Sequence, residues 1–210
     1  CRPIRAASRR GCAISGRNPL HRIGPGDALI VVDPQNDFLP GGSLAVAGGD
    51  RIFAPINATI PLFAHVVATR DWHPPHHKFF AAHGGPWPHH CLQGTEGAVF
   101  SSALHADQID AIISKGTDPS TDGYSGFAGT DLAGQLRAMG VTRVFICGLA
   151  TDYCVKMTAI EAVQNGFAAV VLTDAIAAVN MDAGDEAAAL REMERAGVEF
   201  CESGELRAAA

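Results

Sequence analysis

The run Arg143–Ala159, RVFICGLATDYCVKMTA, decides the fold. Arg143–Cys147 (RVFIC) is a short apolar run of the kind that forms a buried strand. After Gly148–Ala159 a helical pattern continues to Asn165–Gly166, a C-terminal stop signal. A strand running directly into a helix places Cys154 at the helix start, on the C-terminal edge of a sheet. Open α/β sheets bind their ligands at that edge. A thiol there faces the positive end of the helix dipole, so its pKa is expected below the free value of roughly 8.5. Two readings stand side by side for Cys154: a nucleophile, or a small buried residue of the kind free cysteines often are.

Working outward, the same strand-then-helix rhythm recurs. Ala28–Asp33 (ALIVVD) is continuously apolar and β-branched, the mark of a strand covered on both faces, and Pro34 ends it with Asp33 at its tip. His65–Thr69 (HVVAT), Ile109–Lys115 (IDAIISK), Ala168–Asp174 (AAVVLTD) and Val198–Phe200 read as further strands. Asp50–Phe63 is helix-compatible although Pro55 and Pro61 interrupt it. Asp131–Met139 is a helix stopped by Gly140. Asp182–Ala196 is an amphipathic helix with Asp182 as N-cap and Gly197 as stop. Strands alternating with helices predict right-handed βαβ units, hence an α/β, three-layer αβα sandwich around a mostly parallel sheet. Residues 27–203 make one domain in this reading, with residues 1–26 an N-terminal extension and 204–210 a C-terminal tail.

The chain has 210 residues, 47% hydrophobic and 18% charged, which is enough for a sizeable core. No apolar run approaches the roughly 18 residues of a membrane span, so no membrane partner is expected. Residues 1–22 hold six Arg and no acid, and the remainder has ten basic against 22 acidic residues, a net charge of −12. An acidic body argues against nucleic acid as a partner. The Arg-rich start lacks an apolar signal-peptide region, resembles a transit peptide or a foreign segment in composition, and is expected to be poorly ordered. Six cysteines (Cys1, Cys12, Cys91, Cys147, Cys154 and Cys201) without a CxxC pair imply reduced thiols and a cytoplasmic location.

Asp33, Lys115 and Cys154 each fall at or just past a strand's C-terminal end, and in a parallel sheet those ends share one edge. Such a trio has coherent chemistry. Cys154 attacks a carbonyl, Asp33 takes the thiol proton and returns it to a leaving amine, and Lys115 stabilises the anions and lowers the thiol pKa. The plainer reading is an ordinary strand-end ion pair between Asp33 and Lys115. Residues 71–100 form a long loop with four Pro and six of the nine His. Within it Asp71-Trp72-His73 puts a carboxylate and an imidazole on one side of an extended segment, and His90 can close a mixed Asp/His set suited to zinc, iron or manganese. His76, His77, His89 and Cys91 compete for the same role, and a histidine-rich loop without metal is the alternative. Phe38, Trp87 and Tyr124 lie in loops above this edge, where they can wall a flat ring or simply pack the loops.

VVDPQNDF (31–38), RDWHP (70–74), WPHHC (87–91), SKGTDPSTDGYSGF (114–127) and GLATDYCV (148–155) together resemble the motifs of nicotinamidases, within the isochorismatase-like cysteine hydrolases. They occur in the family's order and span about residues 28–200. The resemblance implies hydrolysis of nicotinamide to nicotinate and ammonia in NAD salvage, with related amides such as pyrazinamide as further substrates and a homo-oligomer compatible with it. It implies that Asp33, Lys115 and Cys154 form the catalytic triad. It gives Asp71, His73 and His90 one divalent ion, zinc in the first place and iron or manganese as alternatives, which binds the pyridine nitrogen. It also implies a cis peptide before Ala150, an oxyanion hole from the backbone N–H groups of Ala150 and Cys154, and Phe38, Trp87 and Tyr124 around the substrate ring. His77 matches a position that ligates metal in only some members, and His89 is an additional histidine beside His90. The other enzymatic reading is a relative acting on a different small amide or carbamoyl substrate. A catalytically silent ring- or metal-binding protein is the reading from outside enzymes.

Overall fold

In the computed structural model, which describes residues 21–209, the apolar runs become one six-stranded parallel sheet. The strands are β1 (His21–Ile23), β2 (Asp27–Val32), β3 (Val66–Asp71), β4 (Ala111–Lys115), β5 (Arg143–Leu149), β6 (Ala168–Ala177), β7 (Glu199–Cys201) and β8 (Leu206–Ala208). The helices are α1 (Phe53–Thr59), α2 (Leu132–Ala138), α3 (Lys156–Gln164) and α4 (Asp185–Arg195). The main sheet has the order β4-β3-β2-β5-β6-β7, and every neighbouring pair in it is parallel. The chain fills one half of the sheet with β2, β3 and β4, then crosses to the other side of β2 to begin β5. The strand order therefore reverses between β2 and β5, where a doubly wound sheet opens its crevice.

Strand side chains alternate between two faces, and the core divides accordingly. Leu29, Val31, Phe145, Cys147, Val170 and Leu172 point to one face, where Ile52, Phe53, Ile56 and Ile60 cover them. Ala28, Ile30, Val32, Val144, Ile146 and Val171 point to the other, where α2, α3 and α4 bring Leu132, Leu136, Ala159, Ala162 and Met193. Leu132/Leu136 and Ala189/Met193 are i,i+4 pairs, the helical spacing that lines one stripe. These are the three expected layers.

Several local expectations are corrected. The Asp50–Phe63 helix is broken into a 3₁₀ turn (Gly49–Ile52), α1, and a second 3₁₀ turn (Ile60–Leu62). Pro61 has no N–H to continue the helical ladder. Asp182 is not the N-cap of α4. Gly184 takes that place at φ 102°, a left-handed value that suits glycine, and Asp182 instead receives the N–H of Asp185 on its carbonyl. The last strand of the main sheet falls at Glu199–Cys201, one residue on. Residues 21–26 and 204–208, assigned to an extension and a tail, carry structure: β1 and β8 pair in parallel as a separate two-stranded sheet. The rest of the Arg-rich start, with Cys1 and Cys12, lies outside the described residues.

Candidate active site

Asp33 follows β2 directly and has a left-handed backbone (φ 48°). Thr69 of β3 donates its hydroxyl to Asp33 Oδ1 at 2.7 Å. Lys115 ends β4, two strands away from β2, and its long side chain reaches Asp71 of β3 and Asp33 after β2. Its Nζ lies 2.7 Å from Asp33 Oδ2, 2.5 Å from Asp71 Oδ1, 3.0 Å from Gly123 O and 3.4 Å from Cys154 Sγ. Asp33, Lys115 and Cys154, named from three separate motifs, thus meet around one buried ammonium.

Cys154 is delivered differently from the expectation. β5 continues to Leu149, the Leu149–Ala150 peptide is cis, and Thr151–Val155 form a π-helical turn before α3 begins. Gly148 makes this course possible: at φ 113°, a Cβ there would stand 2.1 Å from the Val32 carbonyl oxygen. The turn is wider than an α-helix, with the Val155 N–H reaching back to Ala150 O at 3.0 Å.

The electrostatics also correct one expectation. The Cys154 thiol is not depressed: burial pushes it well up, Asp33 and Asp71 add to that, and Lys115 opposes them. A helix-end dipole is a fraction of a charge, whereas full desolvation moves a pKa by several units. Asp33 is pushed up to about 6, first by burial and then by the Asp71 charge, against the pull of Lys115. Burial would also raise Asp71 and is the largest single influence on it, but Lys115, His73 and His90 together outweigh it and hold that carboxyl well below the usual range. Lys115 itself stays protonated because Asp33 and Asp71 outweigh its desolvation. The resting arrangement is a neutral thiol beside a carboxylate whose proton affinity is poised near 6.

Asp71, which already faces Lys115, also meets His73 and His90 in the same cavity. One donor atom from each lies within 4.8 Å of the others. His73 Nε2 is 3.4 Å and His90 Nε2 3.8 Å from Asp71 Oδ2. Both Nδ1 atoms face backbone carbonyls, His73 that of Gly116 at 2.9 Å and His90 that of Pro88 at 2.8 Å. A carbonyl can only accept, so each Nδ1 carries the proton and each Nε2 is left with a bare lone pair. Burial lowers the His90 pKa, which keeps that ring neutral. Two bare imidazole nitrogens and a carboxylate oxygen, all buried, match the donor set of a site for zinc or a similar divalent ion. Gly116 is part of it: at φ 62°, its Cβ would stand 2.3 Å from the His73 ring. Gly116→Ala is expected to displace His73 and weaken metal retention about tenfold or more. Metal content after dialysis checks this, and a fully loaded variant would contradict it. His77 is buried with its ring 4.4 Å from that of His73, but is not one of the three clustered ligands, and His89 is exposed against Phe80.

Phe38, Trp87 and Tyr124 line this cavity together with Ala150, Cys154 and the Asp71–His73–His90 cluster. Trp87 Nε1 donates to Tyr124 Oη at 2.9 Å. Tyr153, which the sequence reading passed over, packs edge-on against Trp87 with ring centroids 4.9 Å apart. Leu44, Phe79, Phe80 and Val179 complete the wall and were missed too. Tyr153 had a signal, its place directly before Cys154. The others lie in loops whose course only the packed structure defines. The loop bearing Tyr124 is tied to α3: Gly126 N–H donates to Thr158 Oγ1 at 2.9 Å, and Ser125 Oγ donates to Glu161 Oε2 at 2.6 Å.

A buried thiol, carboxylate and ammonium on the edge of a doubly wound parallel sheet are the constellation of a cysteine hydrolase. The isochorismatase domain profile matches residues 27–205, and the chain belongs to that family. It is 42% identical to the nicotinamidase of Acinetobacter baylyi, over 82% of this chain and 90% of that protein. It is 44% identical to the nicotinamidase/pyrazinamidase of Mycobacterium tuberculosis, over 82% and 97%. Among solved structures, PnC1 from L. infantum in complex with nicotinate superposes with a TM-score of 0.86 at 44% identity, covering 90% of this chain and 99% of that one. The pyrazinamidase of Pyrococcus horikoshii in complex with zinc gives 0.79 at 49% identity, covering 85% and 99%. No described helix is long and apolar enough to cross a membrane.

Proposed function

We propose that this protein is a nicotinamidase: it hydrolyses nicotinamide to nicotinate and ammonia through an acyl-enzyme on Cys154. The observation that carries this reading is an aromatic-lined slot beside which a thiol–carboxylate–lysine trio and a buried Asp/His/His cluster adjoin, with Asp71 facing both. The slot suits a pyridine ring whose nitrogen points to the cluster and whose carboxamide carbon faces Cys154 Sγ. The cluster also favours this substrate over the carbamoyl alternative, which offers no ring nitrogen.

Asp33 takes the Cys154 proton as Sγ bonds to the carboxamide carbon, and the oxygen becomes an oxyanion. The backbone N–H groups of Ala150 and Cys154 receive that charge. Asp33 then passes its proton to nitrogen, the C–N bond breaks and ammonia leaves. Water attacks the thioester, giving a proton to Asp33 and hydroxide to the acyl carbon. The C–S bond breaks, Asp33 returns its proton to sulfur, and the new carboxyl gives up its own proton to solvent as nicotinate departs. Lys115 holds Asp33 in place and offsets the negative charge of each intermediate. Phe38, Trp87 and Tyr124 hold the ring and exclude water. Asp71, His73 and His90 would hold one divalent ion, zinc first, which supplies a Lewis-acid contact for the ring nitrogen. Free buried cysteines, Cys91, Cys147 and Cys201 among them, fit a reducing, cytoplasmic setting.

The test is formation of nicotinate from nicotinamide by the zinc-loaded protein, with an N-carbamoyl amino acid as comparison substrate. Turnover of the carbamoyl compound alone would refute the reading. A pH profile tests the base. Asp33 must be ionised to accept the thiol proton, so kcat/KM is expected to fall as the pH drops through about 6. Neutralising Asp71 with an ion removes part of the repulsion and moves this limb lower. A profile flat down to pH 3 would remove Asp33 from that role.

A further inference from the structure

The turn that follows Asp33 contains two polar side chains with no part in the chemistry above, Gln35 and Asp37. Gln35 is fully buried. Its Oε1 accepts the Asp71 N–H at 2.7 Å, while its Nε2 donates to the Asp71 carbonyl at 2.8 Å and to the Ala98 carbonyl at 2.9 Å. One amide thus closes both backbone groups of Asp71. Asp37, two residues on, receives the Cys91 N–H on Oδ2 at 2.7 Å and the Ser43 N–H on Oδ1 at 3.3 Å. Cys91 directly follows His90 and sits at φ 45°, a left-handed backbone that a side chain resists. The Cys91 carbonyl in turn accepts the His73 N–H at 3.0 Å, and the His73 carbonyl accepts the Gln93 N–H at 3.0 Å. Hydrogen bonds therefore run from Asp37 through Cys91 to the backbone of His73, and the peptide bond joins Cys91 to His90.

We infer that Gln35 and Asp37 are positioning residues that set the spacing of the metal ligands, Gln35 acting on Asp71 and Asp37 on His90 and His73. This rests on the proposed assignment of Asp71, His73 and His90 as ligands. The side chains of the ligands are fixed from their own surroundings, Nδ1 of each histidine by a carbonyl. Their backbones belong to two segments far apart in sequence, β3 with its extension and the loop after Trp87. The Gln35–Asp37 turn touches both, and it is continuous with Asp33. One short segment thereby fixes the proton acceptor and, through hydrogen bonds, the frame of all three ligands.

The chemistry makes each contact specific. Gln35 needs one acceptor and two donors, so Gln35→Glu sets a carboxylate against two carbonyls. Asp37 needs two acceptors, so Asp37→Asn can satisfy only one of its two N–H partners and turns an NH₂ on the other. Loss of an outer partner of a metal ligand typically weakens affinity 10- to 100-fold. Asn36 lies between them, but its side chain bonds only to Glu96, so it serves as a control in the same turn.

The experiment is zinc affinity by competition with a chromophoric chelator, for wild type, Gln35→Glu, Asp37→Asn, Asn36→Ala and Asp71→Ala, with melting of each metal-free variant followed in parallel. Should Gln35→Glu fail to fold, Gln35→Met takes its place. The expected result is zinc affinity lowered about 10- to 100-fold in the Gln35 and Asp37 variants and unchanged in Asn36→Ala. The melting temperatures should not follow the affinities. Wild-type affinity in both the Gln35 and Asp37 variants overturns the inference, as does an equal loss in Asn36→Ala, which would mark a general lesion of the turn. Wild-type affinity in Asp71→Ala would instead overturn the ligand assignment itself.

Discussion

Replacing Cys154 with alanine abolishes nicotinamide hydrolysis, lowering kcat by about 10⁴-fold or more while the protein folds normally. The expectation follows from the absence of any substitute among the described residues. Cys91 and Cys147 are fully buried, and burial pushes both thiols far up. Cys201 is pushed up to about 12 and lies on β7, two strands beyond β5. Asp33 alone could only direct water, and that water would have to occupy the space of the missing sulfur. Alanine keeps the backbone of the π turn and removes a single atom, so the cost in stability is about 1 kcal/mol. Nicotinate formation measured alongside thermal melting checks both halves. Activity above about one part in a hundred of wild type would contradict an acyl-enzyme on Cys154.

The second large effect belongs to Lys115. Lys115→Met destabilises the metal-free protein by about 3–5 kcal/mol, because it leaves Asp33 and Asp71 as buried carboxylates facing one another. The loss is pH-dependent, and its sign is fixed. Without the ammonium, the folded-state pKa of Asp33 rises further above its unfolded value, so the folded variant binds a proton more tightly than the unfolded chain. Its stability therefore increases as the pH falls and is lost as the pH climbs from about 4 through the raised folded pKa. Denaturant melts at pH 5 and pH 8 are the measurement. A variant as stable as wild type at pH 8 would show that the ammonium does not hold these carboxylates. The same variant should react more slowly with iodoacetamide at neutral pH, since the Lys115 charge opposes the rise in the Cys154 pKa.

Much of this architecture is readable from the chain because parallel strands covered on both faces leave continuous apolar runs. ALIVVD and RVFIC need no context to be recognised. Strand ends are equally legible, so Asp33 and Lys115 could be placed on one edge before any contact was known. The D-x-H spacing named two ligands for the same reason. What stayed hidden depends on packing across the chain. The thiol of Cys154 titrates according to its burial among Lys115, Asp33 and Asp71, residues 39 to 121 positions away, and the local helix dipole is a small effect beside that. The π turn is set by the approach of Gly148 to Val32 in the neighbouring strand. β1 and β8 are three residues each, too short to show a period, and their partners lie at opposite ends of the chain. Gln35 and Asp37 look like ordinary loop polar residues until the backbones of Asp71 and Cys91 arrive beside them.

Ammonia release from nicotinamide by the purified protein, before chelation, after chelation, and after zinc is returned, tests the central claim most directly. The account predicts rapid release, its loss as the metal is stripped, and recovery with zinc. Absence of release from the fully zinc-loaded protein would contradict it.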